Sequence, residues 1–231
     1  MGVRLEADGA TGPALNLELM PGQTALVLHP KLEALHEMIR LAMRQARPAS
    51  GEMSWGPRAG PHDSGLWGEL RFNRGVGLVH RNMALVPGRT VLEHLAIFFS
   101  YNLDVPPQEI LPRSYGVLRS LGVHGREWRE MRKSLPGMLP ARLKRLGLYA
   151  IAIAKEPWLY VLERPAGHLG PDFPKLWRIL ERDRVASGSA VLVLDNALEP
   201  AYAESGLIPR LALGDVGSAG APDEDDEPDE F

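Results

Sequence analysis

The chain has 231 residues, 45% apolar and 24% charged, with no cysteine, which suits one globular domain or one with a subdomain and excludes disulfides, thiolate nucleophiles, zinc ribbons and iron–sulfur clusters. The net charge of −3 hides an asymmetry: the end of the chain, Ala221–Phe231 (APDEDDEPDEF), holds seven acids and no base, and the remainder carries 26 bases against 22 acids. Such a block reads as a solvated acidic tail, with docking or autoinhibition as the alternative, and the near-neutral body does not favour nucleic acid.

The first residues carry Arg4, Glu6 and Asp8 and lack a basic-then-apolar signal pattern. Leu15–Leu19 alternates and Thr24–Leu28 is a short apolar run behind the turn at Pro21 and Gly22, so both are expected to be strands. From Lys31 to Ala46, Leu32, Leu35, Ile39 and Ala42 recur at spacings of three and four. One helix is expected from Pro30, which suits a first helical position, to Ala46, with those four residues facing the sheet. Short strands are expected near Gly51–Trp55, Gly65–Phe72 and Gly75–Val79.

The middle of the chain is helical in pattern, over Thr90–Tyr101 behind a threonine cap, Gln108–Leu121, Gly125–Arg132 and Ala141–Lys155. Trp158–Leu162 and Ala190–Leu194 are continuous apolar strands on either side of an amphipathic helix, Phe173–Arg184, and Leu207–Leu213 is a candidate last strand. Buried strands alternating with helices indicate a parallel α/β architecture. The longest apolar stretch, Leu146–Ala154, has nine residues against the ~20 of a membrane helix. A soluble, cytosolic chain is expected.

The order of these landmarks resembles the nucleotide-binding domain of ABC transporters, from about Val3 to Asp215. Gly22–Glu52 is similar, without a gap, to the family's phosphate-loop and helix segment. RGVGLVHRNMALVPGRTVLEHL (Arg74–Leu95) is similar to its Q-loop segment, AIAKEPWLYVLERPAGHLGP (Ala152–Pro171) to its Walker B and D-loop segment, and AVLVLDN (Ala190–Asn196) to its switch strand. The resemblance implies an α/β, P-loop NTPase-like fold with a mixed sheet core and an inserted helical subdomain. It divides the chain into a core of 1–81 and 156–218, a helical subdomain of 82–155 and an acidic tail of 219–231.

The residues that carry the family's chemistry are replaced. Where GPNGAGKST cradles phosphate, this chain has HPKLEALHE: the lysine becomes Leu35, and the Ser/Thr pair becomes His36 and Glu37. The Q-loop glutamine corresponds to Arg81, the Walker B aspartate to Glu163 and the general-base glutamate to Arg164, which cannot accept a proton. The switch histidine corresponds to Asp195, or to Asn196 with a one-residue shift, and the D-loop aspartate to Gly170. The signature is represented by LPGML (Leu135–Leu139) or, ungapped, by LPAR (Leu139–Arg142), both lacking its serine and tandem glycines.

Other constellations are weaker. His29, Glu33 and His36 have a metal-like spacing but are read as cap and packing. Ser187 and Ser189 read as loop serines. Trp55, Trp67, Trp128, Trp158 and Trp177 are scattered and read as packing. Arg126–Arg132 is a solvated helix face with an Arg126–Glu130 pair, and Arg142, Lys144 and Arg145 are a candidate partner surface.

The resemblance therefore implies a pseudo-ATPase subunit, with no cofactor, that docks on an integral membrane permease at the inner face of the membrane. A genuine ATPase subunit or a second copy of the chain is a further implied partner. The implied docking groove includes Arg81, Asn82, Met83, Leu85 and Val86. The vestigial nucleotide corner comprises Leu35, His36, Glu163, Arg164 and Asp195. An active enzyme with unorthodox ligands and a soluble regulatory protein of the same fold are the alternatives.

Overall fold

The computed structural model describes residues 3–7, 15–43, 45–46, 53–54, 75–207 and 209–212. Its central element is a parallel sheet of five strands: β3 (Thr24–Leu28), β5 (Val76–Val79), β6 (Leu159–Glu163), β7 (Ala190–Asp195) and β8 (Pro209–Ala212). The spatial order is β5-β6-β7-β3-β8, and every pairing is parallel. All carboxyl ends therefore lie along one edge, with Glu163 paired to Leu194 and Asp195 to Leu28.

Strand periodicity explains the two-sided burial. Leu26, Leu28, Val79, Tyr160, Leu162, Val191 and Val193 enter one apolar cluster, while Ala25, Val27, Val76, Leu159, Val161, Leu192 and Leu194 enter another. A sheet covered on both faces needs no polar alternation, so its strands read as unbroken apolar runs. Each fully buried aliphatic side chain contributes about 1.5–3 kcal/mol.

The second cluster is covered by α1 (Leu32–Ala42) and by Leu17 and Leu19 of β2 (Leu15–Leu19). β2 pairs antiparallel with β1 (Val3–Ala7), which pairs antiparallel with β4 (Met53–Ser54). The described strands thus form a parallel sheet and a separate antiparallel one rather than one mixed sheet. The first cluster is covered by α2 (Val91–Asn102), α3 (Pro107–Ser120), α4 (Gly125–Lys133) and α5 (Ala141–Ala154), which precede β6, and by α6 (Pro165–Leu169) and α7 (Phe173–Ser187). A last short helix, α8 (Pro200–Glu204), follows β7.

Local chemistry sets the helix ends. Thr90 accepts from the Glu93 N–H while Glu93 accepts from the Thr90 N–H, a capping box that starts α2. Gly188 closes α7 in a left-handed conformation, φ +70°, that glycine adopts without steric penalty.

α1 departs from the expected bounds. Pro30 lies outside it and Lys31 is its extended N-cap, so the helix runs from Leu32 only to Ala42. The His29 ring accepts the Lys31 N–H at 3.0 Å, which holds the chain extended for two residues more than a helical proline would. Leu35, Ile39 and Ala42 face the sheet together with Met38, while Leu32, at the first turn, is only half-buried. Ser187 closes α7 rather than sitting in a loop, and Ser189 donates to the Pro157 carbonyl. Trp158 precedes β6 instead of beginning it. Trp55, Trp67, the strand expected at 65–72 and the acidic tail lie outside the described residues.

Candidate functional site

The carboxyl edge of the parallel sheet gathers the five residues of the expected nucleotide corner in two groups. In the first, Glu163 at the end of β6 is fully buried. Its Oε2 accepts the Arg81 N–H at 2.9 Å, and its Oε1 lies 3.3 Å from His36 Nε2, off the line of a hydrogen bond. His36 reaches it from α1, one residue after Leu35, which is itself fully buried in the core beneath the helix.

In the second group, Arg164 Nε lies 3.5 Å from Asp195 Oδ1 across the ends of adjacent strands. Arg164 stands in the left-handed region, φ +46° and ψ +46°, costly for a residue with a Cβ. Asp195 is fully buried and well served: Oδ1 accepts the N–H groups of Asn196, at 2.7 Å, and Ala197, at 3.3 Å, and Oδ2 accepts the Tyr202 hydroxyl. Burial pushes the Asp195 carboxyl above its ordinary pKa against the pull of Tyr202, the two N–H groups and Arg164. Burial, with the charge of Asp195, likewise raises the Tyr202 hydroxyl.

These residues do not fit a nucleotide's phosphates. Bound phosphate needs a cation and free backbone donors at a helix start. Here Leu35, which the resemblance sets against the family's lysine, is an aliphatic side chain in the core, Glu33 adds negative charge in the first turn of the same helix, and the Lys31 N–H is taken by His29. Arg164 leans on the Asp195 carboxylate. Among the described residues no cluster of three or more His, Asp or Glu is arranged to hold a metal ion.

Beside this corner lies a groove of about 440 Å³ between the segment after β5 and α5. Of the five expected groove residues, Arg81, Met83 and Leu85 line it; Asn82 and Val86 are exposed beside it. Pro136, Leu148 and Tyr149 complete an apolar wall, and Lys144, Arg145 and His168 stand opposite Arg81. Burial lowers the pKa of His80, with Glu163 opposing and His36 adding to the shift. It also lowers that of His168, where Arg145 and Arg164 work in the same direction and Glu163 against.

Several residues that shape the site carried no signal in the sequence. His94 Nε2 accepts the Val86 N–H at 2.9 Å, which makes Nδ1 the protonated nitrogen, donating to the Thr90 carbonyl at 2.7 Å. One neutral imidazole thus ties the groove segment to the start of α2. Gly147 lets α5 approach closely: a Cβ there would lie 3.1 Å from Val91 and 3.4 Å from Leu85. Arg142, taken from sequence as partner surface, is instead engaged internally. It bonds both Asp172 oxygens, with Nε to Oδ2 at 2.5 Å, and Glu127, and so braces α5 against the turn before α7.

Comparison with solved structures gives the fold. The dimeric bacterial ABC transporter cassette MJ0796 superposes with a TM-score of 0.71 at 18% identity, covering 92% of this chain and 91% of that one. CbiO1 of Clostridium perfringens, part of the ABC transporter complex CbiONQ, gives 0.63 at 16% identity over 84% and 77% of the two chains. The chain therefore has the ABC nucleotide-binding cassette fold, of the α/β, P-loop NTPase-like class. A curated relative agrees: the chain is similar to the L-cystine transport system ATP-binding protein TcyN of Escherichia coli (strain K12), 25% identical over 164 residues. That match covers 68% of this chain and 63% of the relative's length. No protein-family model matches the chain.

Proposed function

We propose that the chain is a catalytically silent ABC-type subunit that docks on an integral membrane permease and serves the complex structurally or as a regulator. The observation that carries this reading is the state of the catalytic corner: Leu35 is core, and Arg164 rests on Asp195. An arginine stays protonated and cannot draw a proton from water. Losing one preorganised catalytic group typically costs ~10²–10³ in rate, and here the lysine, base, glutamine, histidine and signature are all replaced.

The docking half of the proposal is supported by the groove. Its wall is apolar, and Val86 and Met138, exposed by 56% and 81%, lie on the two segments that form it. An apolar trough between a loop and a helix suits a short amphipathic helix of a partner. No helix among the described residues is long and apolar enough to cross a membrane, so membrane attachment in this scheme comes through the permease. A genuine ATPase subunit or a second copy of the chain then completes the complex.

Calorimetry with Mg²⁺-ATP and phosphate release tests the first half. Binding no tighter than millimolar, about 4 kcal/mol, is expected, without hydrolysis. A micromolar Kd would favour an active enzyme with unorthodox ligands. Copurification from detergent extracts tests the second half. A permease is expected to elute with the parent chain and to be lost with Met83→Glu or Val86→Glu. Elution of the parent without a membrane protein would favour a soluble regulatory protein.

A further inference from the structure

The groove beside the corner is cationic as well as apolar. Arg81 rises on one side, Lys144 and Arg145 on the other, and no carboxylate occurs among its described lining residues. The nearest, Glu163, is buried and engaged by the Arg81 N–H and His36. Arg145 also donates to the His168 carbonyl at 2.8 Å, which holds its guanidinium at the groove.

The most acidic stretch of the chain follows β8 in sequence. β8 ends at Ala212 on the same edge of the sheet as β5, whose last residue, Val79, lines the groove. β5 and β8 are the two ends of the five-strand order, so about 19 Å separates them at ~4.8 Å per strand. Ten residues, 213–222, lie between Ala212 and the acidic run Asp223–Glu230. Ten residues extend to about 33 Å, ample for the crossing. A tether of that length gives an effective concentration on the order of millimolar, so weak individual contacts suffice for occupancy.

We propose that Asp223–Glu230 docks across this groove, its carboxylates facing Arg81, Lys144 and Arg145. Charge complementarity and the shared sheet edge select this segment as the occupant. Taken with the groove's proposed role as the permease seat, on which this consequence alone rests, the tail is a tethered competitor that an entering partner displaces. Occupancy weakens with salt, because the contacts are exposed ion pairs.

Zero-length carbodiimide cross-linking of the full chain tests the proposal, since it joins a carboxylate only to an amine in contact with it. The chain has five lysines: Lys31, Lys133, Lys144, Lys155 and Lys175. Mass spectrometry should find an intramolecular amide from Lys144 to a carboxylate of 223–230, in at least fivefold excess over amides from the exposed Lys31 and Lys133. The yield should fall at least fivefold in 0.5 M NaCl, a condition that leaves the sequence intact, and likewise in Arg81→Ser/Arg145→Ser. Tail amides spread evenly over Lys31, Lys133 and Lys144, amides only between molecules, or no tail amide at Lys144 would each overturn it. The purified chain alone is used, so the outcome is independent of permease copurification.

Discussion

Arg164 and Asp195, at the ends of adjacent strands, form an ion pair in which Nε stands 3.5 Å from Oδ1 and the acid is fully buried. A buried carboxylate needs compensation, and Asp195 draws it from Tyr202, two backbone N–H groups and this guanidinium. Arg164→Glu places a second carboxylate there. A loss of about 2–4 kcal/mol is expected by chemical denaturation, the partial exposure of Arg164 holding it below the full cost of breaking a buried pair. No ATP hydrolysis should appear. The left-handed backbone at Arg164 adds a separable effect: Arg164→Gly should be about 1 kcal/mol more stable than Arg164→Ala, although both remove the charge.

Asp195 also sets a pH dependence. Its folded pKa lies above the unfolded value near 3.8, so the folded state holds its proton to higher pH. Its contribution to stability is complete below about pH 3.8 and is lost as pH rises through the raised folded value. Asp195→Asn removes that loss. Relative to the parent, the variant should therefore be more stable at pH 7 than at pH 4, in urea melts at both.

His80 and His168 titrate in the opposite sense. Their folded pKa values lie below 6.5, so the unfolded chain takes up protons first on acidification. Their contribution is complete above about pH 6.5 and is lost as pH falls through the lowered values. The double variant His80→Gln/His168→Gln should lose less stability between pH 7 and pH 5.5 than the parent. An unchanged slope would remove these two residues from the acid response.

Leu35, which the resemblance sets against a phosphate-binding lysine, is fully buried in the core. Leu35→Lys should cost about 4 kcal/mol, combining lost packing with an unpaired buried charge, and should not bring ATP binding into the micromolar range. Calorimetry beside a denaturation curve reads both.

Gly147 holds the close approach of α5 to Val91 and Leu85. Gly147→Val should destabilise by about 1–3 kcal/mol through overpacking. Because Leu85 lines the groove, the same variant should also weaken permease copurification; full copurification would separate that wall from docking.

Much of the fold was legible in the sequence. Thr24–Leu28 and Ala190–Leu194 are strands because an apolar run of that length, covered on both faces, has no other low-energy home. The Thr90–Glu93 capping box fixed the start of α2 locally. The start of α1 differs from expectation because the choice between Pro30 and Leu32 depends on one hydrogen bond that the His29 ring accepts from the Lys31 N–H.

The corner was only half legible. That Glu163, Arg164 and Asp195 would meet followed from their positions at the ends of buried runs. Which cation serves which acid did not: the structure pairs Arg164 with Asp195 and sets His36 and the Arg81 N–H on Glu163. Tyr202, His94, Gly147 and the Arg142–Asp172 brace were silent, because each acts on a partner in a different element or through space left empty, which no local periodicity marks. Periodicity and residue chemistry are local, so the sequence by itself determined the strands and most helix spans. Pairing among buried charges, and the placing of the cationic groove and the end of β8 on one edge of the sheet, depend on strand order, which only the tertiary structure decided.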